Sequence, residues 1–166
     1  MPIALSNLDI YLAIAEESIA ESHQFDAASR IPKPDGQPGY IVTLDPNSAS
    51  FKKSLISLAF AGVYFDALLF LAGTTSLGKA EYSRIERNKT YEQKLKLLTI
   101  SDVKTLAECK RFRLARNDLM HEKATSFEDF DLTRIHFAQT EAEFGLSFVK
   151  KVRMRLFRAS NHFGLI

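Results

Sequence analysis

Apolar residues recur at three- and four-residue steps along most of the chain, the spacing of helices that bury one face. Leu8, Tyr11, Leu12, Ala15 and Ile19 form the first such stripe, and Glu16, Glu17 and Glu21 supply its wet side. Ser6, with Asp9 three positions on, resembles a capping box, so the spacing predicts a first helix from just after Ser6 to about Ser29. The segment RIPKPDGQPGY, residues 30–40, carries three prolines and two glycines, which forbid helix and favour an exposed loop. YIVTL, residues 40–44, is a β-branched run suited to a short extended arm or half a hairpin, with no evident partner strand.

From Leu55 to Gly73 the single charge is Asp66, and the preceding DPNSAS offers Asp and Ser caps, so a long apolar helix is expected over about 50–72. Its length approaches that of a membrane span. A carboxylate near the middle of a span costs about 2.5 to 3.5 kcal/mol, and no second span follows, so this segment is read as the central helix of a soluble bundle, buried on all sides. Tyr82, Ile85, Tyr91, Leu95 and Leu98 predict one third helix after GTTSLG. Ser101 or Asp102 caps a fourth, carrying Leu106, Cys109, Phe112, Leu119 and Met120. A fifth, about 131–159, shows Ile135, Ala138, Ala142, Val149, Val152 and Leu156 on one wide face and closes at SNHFG. The expectation is an all-α, up-and-down bundle of about five helices with a long Pro/Gly-rich loop after the first and negligible strand content. At 166 residues it forms a single domain, 1–166.

Charge adds a direction. Residues 1–50 hold seven acids against two bases, whereas residues 51–123 hold fourteen bases against eight acids. A second basic group, Lys150, Lys151, Arg153, Arg155 and Arg158, contains no acid and extends a positive surface toward a polyanion, unless these are solvated helix faces. Cys109 is the single cysteine, which rules out an internal disulfide and suits a reducing compartment. The amino terminus has no basic n-region, so no signal peptide is expected. A cytoplasmic protein with no membrane association follows.

The chemistry concentrates in FRLARNDLMHEK, residues 112–123. Arg116 falls four residues after Phe112 and four before Met120, inside the apolar stripe of its own helix, where an unpaired guanidinium is costly. Either a carboxylate meets it, Asp66 being the natural candidate, or the stripe faces an anion-binding cleft. Arginine suits phosphate because its planar fork makes two parallel charge-assisted hydrogen bonds and never loses its proton. His121 carries the side chain that titrates near neutrality and can exchange a proton during phosphoryl transfer. On a continuous helix the two lie about 140° apart. They converge if the helix ends near Asn117 or if two chains share one cleft; alternatively they form a structural ion pair and a helix-end interaction.

Arginine, a polar residue, three further residues and a histidine, late in a helical bundle, resemble the HEPN superfamily, named for higher eukaryotes and prokaryotes nucleotide-binding. Arg116, Asn117 and His121 match that motif position by position, and an acid within an apolar helix is similar in layout. The resemblance implies a metal-independent endoribonuclease, often the toxin of a toxin-antitoxin pair or another stress or antiviral effector. It further implies a homodimer whose two motifs line one cleft, RNA as substrate, and an antitoxin protein as a possible partner. Arg116 would hold the scissile phosphate, and His121 would act as general base or acid while the ribose 2′-hydroxyl attacks and leaves a cyclic phosphate. Asn117 would orient the phosphate or the histidine, and Asp66 would position Arg116. Lys110, Arg111, Arg113, Lys150, Lys151 and Arg153 are the candidate nucleic-acid contacts. Many domains of this kind are non-catalytic, so a helical module binding RNA or a protein partner stands as the alternative.

Other chemistries fail on spacing. His23, His121, His136 and His162 form no ligand-like cluster, HEKAT lacks the second histidine of a zincin helix, and no metal or other cofactor is expected. GTTSLGKA follows no strand, as a phosphate loop would, and Cys109 on an apolar stripe has no activating neighbour. Arg155 and His162 repeat the motif loosely, but Leu156 stands where the polar residue belongs.

Overall fold

The computed structural model describes residues 7–43, 48–120 and 132–161. Six α-helices lie among them: α1 (Asn7–Ala28), α2 (Ala49–Leu77), α3 (Lys79–Glu86), α4 (Tyr91–Leu97), α5 (Val103–Met120) and α6 (Leu132–Asn161). The third predicted helix is two. Thr90 starts α4 with a full capping box, its hydroxyl accepting from the Gln93 amide while the Gln93 side chain accepts from the Thr90 amide. Conversely, α2 runs past GTTS to Leu77, and within it the Thr74 and Thr75 hydroxyls bond back to the Phe70 and Leu71 carbonyls. Gly78, at φ 83°, ends it. Ser48 stands at the N-cap of α2 without a side-chain cap bond.

YIVTL does find a partner. β2 (Tyr40–Val42) pairs antiparallel with β1 (Arg30–Pro32), registering Arg30 with Val42 and Pro32 with Tyr40 across a 3-10 turn at Pro34–Gly36. Proline is tolerated because both members of a two-stranded ribbon are edges.

Contact order along the helices sets their directions. Tyr11 meets Phe60, Ser57 bonds to the Ala15 carbonyl, and Ser22 bonds to Ser50 and Ser54, so numbers rise on α1 as they fall on α2. The same inverse order joins α1 to α6 through Asp9–Arg153, Glu16–Lys150 and His23–Glu143. It joins α5 to α6 through Glu108–Lys151 and Arg111–Glu141. Hence α2 runs with α6 and against α1 and α5, an up-and-down arrangement of the four long helices, with α3 and α4 in the crossover from α2 to α5.

The core is aromatic at its centre. Phe65 of α2 is edge-on to Phe112 of α5 at 5.8 Å, to Phe148 of α6 at 5.3 Å and to Tyr91 of α4 at 5.0 Å. Glycines within helices make the room. A Cβ at Gly145 would come within 2.8 Å of the Phe112 ring, one at Gly73 within 2.1 Å of Tyr82, and one at Gly62 within 2.4 Å of Arg116. Cys109 is buried here too, and desolvation, reinforced by the Glu92 carboxylate, pushes its thiol up to about 12.

Among the described residues α2 is the one helix long and apolar enough to cross a membrane by length and composition. In the fold it is central, touching α1, α3, α4, α5 and α6. It is not buried on all sides, however: Ile56, Val63, Asp66, Phe70 and Leu71 are exposed. Its neighbours cover one side, and the other presents Ile56, Val63 and Phe70 at seven-residue intervals.

Asp102 opens α5 as its cap, Oδ1 accepting from the Thr105 amide at 3.0 Å while Oδ2 receives Arg155 Nη1 at 2.5 Å. The amide bond first, then Arg155, holds this carboxyl well below the usual range. A lowered carboxylate pKa stabilises the fold above the ordinary aspartate value and ceases to do so as pH falls through the lowered one. Asp102→Asn, which keeps a cap but not the charge, should lower the urea midpoint at pH 7. The gap from wild type should narrow as pH drops below about 3.9. A gap unchanged at pH 3 would contradict this.

Candidate functional site

Arg116 leaves α5 toward α2 and lies across Gly62, where the missing side chain lets the guanidinium rest on the helix backbone. Its Nη1 donates to the Tyr91 hydroxyl at 2.7 Å, and that hydroxyl donates to Asp66 Oδ2 at 2.9 Å. Arg116 and Asp66 also face each other directly at 3.6 Å, an ion-pair distance longer than a hydrogen bond. Three helices thus contribute one group each: Asp66 from α2, Tyr91 from α4 and Arg116 from α5.

The site is half-open. The Arg116 side chain is 29% exposed and that of Asp66 47%, so water reaches both charges. Burial, and then the Asp66 carboxylate, raise the Tyr91 hydroxyl above its ordinary range against the opposing pull of Arg116. The phenol therefore stays protonated at neutral pH, able to accept from the guanidinium and donate to the carboxylate together. Lys94 lies 5.7 Å from the centre of the Tyr91 ring.

Asn117 and Asp118 are exposed on the next positions of α5. The helix is continuous through Asn117 and ends at Met120. His121 itself lies outside the described residues, as does His162.

The basic candidates divide. Lys110 is exposed on α5. Arg111 grips Glu141 through Nε and Nη2, at 3.1 and 2.6 Å, and its guanidinium covers the Phe144 ring at 3.9 Å. Glu141 also raises the Arg111 pKa. Arg113 donates twice to Glu92 Oε1, at 3.2 and 3.1 Å. Burial alone would raise Glu92, but backbone and Arg113 hydrogen bonds win and hold it below its ordinary value. Lys150 meets Glu16, Lys151 meets Glu108 and Arg153 meets Asp9. A stretch without acids in sequence thus becomes a set of inter-helix ion pairs.

Tyr91 and Gly62 are the site residues that sequence reasoning missed. In the sequence Tyr91 stands only as a position on an apolar stripe, and nothing local marks its hydroxyl. Among the described residues no group of His, Cys, Asp and Glu is placed to hold a metal ion. Compared with protein-family models, curated proteins and solved structures, the chain matches none.

Proposed function

We propose that this chain is a metal-independent endoribonuclease of the HEPN type, a toxin or stress effector working as a cytoplasmic homodimer. The observation that supports it is Arg116: a half-exposed guanidinium, held at one edge by Tyr91 and Asp66, one turn before α5 ends and five positions before His121. On this reading the free donors of Arg116 take the scissile phosphate and stabilise its developing charge. His121 removes the proton of the attacking 2′-hydroxyl or returns one to the departing 5′-oxygen, leaving a 2′,3′-cyclic phosphate. Asn117 orients the phosphate or the histidine. The open apolar side of α2 offers a surface through which a second copy can bring its own motif to the cleft.

The test is to incubate the chain with RNA in excess chelator. Cleavage ending in cyclic phosphate, lost in His121→Ala with the fold intact, supports the enzyme. A well-folded dimer that leaves every RNA whole removes it, and a chain that sediments as a monomer at micromolar concentration removes the shared cleft.

One observation favours a second reading, a non-catalytic helical module. Lys150, Lys151 and Arg153 already face carboxylates, which lowers the positive field available to RNA and suits a protein partner, an antitoxin among them. Its signature is binding without RNA products, and weak salt dependence would separate a protein partner from RNA.

A further inference from the structure

We infer that Tyr91 is a positioning residue for Arg116, its hydroxyl fixing which guanidinium nitrogens remain free for a phosphodiester. The role in RNA handling rests on the reading of Arg116 as a phosphate anchor; the positioning itself stands on geometry alone. Asp66 cannot do it unaided, because at 3.6 Å it makes no direct hydrogen bond to the guanidinium. The phenol spans the gap with bonds of 2.7 and 2.9 Å.

The phenol is itself held. Tyr91 is the first residue of α4, directly after the Thr90 capping box, so the start of that helix sets its backbone. Its ring is edge-on to the buried Phe65, at 5.0 Å and 77°. Gly62 in turn lacks a side chain that would push the guanidinium away. Nη1 is taken by the tyrosine and Nε lies against Gly62, whereas Nη2 has no hydrogen bond among the described residues. The arrangement thus offers an anion a partly used fork in a fixed orientation, and lowers the ordering cost of a long flexible side chain.

The test uses the full chain. Tyr91→Phe keeps the ring and its contact with Phe65 but removes the hydroxyl. Gly62→Ala keeps the hydroxyl and displaces the guanidinium. The first readout is the Nε–Hε signal of Arg116 in nitrogen-proton spectra of the free protein, assigned by its loss in Arg116→Lys. Both variants should shift and broaden it with thermal midpoints close to wild type; an unmoved signal in Tyr91→Phe overturns the inference, whatever RNA does. The second readout is affinity for a non-cleavable oligonucleotide lacking 2′-hydroxyls. Tyr91→Phe should weaken it about tenfold, the scale of one charge-assisted hydrogen bond. Adding Tyr91→Phe to Arg116→Ala should then cost nothing further. Additive losses overturn the inference. If the wild-type chain binds no oligonucleotide, the reading of Arg116 as a phosphate anchor falls, and the spectrum decides the positioning by itself.

Discussion

Phe112→Ala should cost about 3 to 5 kcal/mol of unfolding free energy. The ring is fully buried at the junction of three long helices, edge-on to Phe65 at 5.8 Å and beside Phe148 at 5.6 Å. It also fills the space that Gly145 leaves open on α6. Its neighbours are rigid rings and glycine backbone, which cannot collapse into the vacancy, so both the transfer loss and the cavity are felt in full. For a domain of this size each kcal/mol lowers the midpoint by roughly 2–4 °C, which makes a fall of about 6–20 °C. Denaturant titration checks it: the midpoint should drop with little change in slope. Phe112→Leu should cost less than half as much, and a loss below about 1 kcal/mol for alanine would mean that the aromatic cluster repacks.

Arg116→Ala should produce the opposite profile. Under the proposed function, removing the group assigned to the developing charge should lower RNA cleavage by about 100- to 1000-fold, with little loss of stability. The reason is exposure. The guanidinium and the Asp66 carboxylate both reach water, and partly exposed ion pairs contribute about 0 to 1 kcal/mol. Asp66 also keeps its bond from Tyr91 when the arginine is gone, so no buried charge is stranded. Arg116→Lys should recover only part of the activity, since an ammonium lacks the planar fork. Paired rate and unfolding measurements decide the matter. Unchanged cleavage in a folded variant would end the assignment of Arg116, and a large stability loss would recast it as a structural group.

The long helices are legible because their stripes are long: Leu8 through Ile19 and Ala138 through Leu156 repeat over several turns, and the ends fall within a few residues of α1 and α6. The break between α3 and α4 is easily bridged when only the helical steps on either side of it, Tyr82 to Ile85 and Tyr91 to Leu98, are counted and the six-residue polar step between them is not. Thr90 and Gln93 nonetheless spell a capping box that could have revealed it. β1 escaped because three residues with a proline carry too little pattern. The open side of α2 is hard to read for a different reason: apart from Asp66 the middle of the helix is apolar on every face, and only neighbours decide which is covered.

For the site, the same contrast between local and distant information holds. Arg116 announces itself as a charge on an apolar stripe, a local anomaly. The Tyr91 hydroxyl acquires its meaning from Asp66 and Arg116, each 25 residues away. The carboxylates facing Lys150, Lys151 and Arg153 come from α1 and α5, so a basic run read along the chain overstates the field that the folded surface presents.

The helical glycines at 62, 73 and 145 act as sockets for Arg116, Tyr82 and Phe112. An alanine is ordinarily the safest guest in a helix interior, better than glycine by about 1 kcal/mol. At Gly73 and Gly145, which face the packed rings of Tyr82 and Phe112 rather than the movable end of an arginine, that preference is reversed, so a saturation library of this chain would rank these two small residues among the least replaceable.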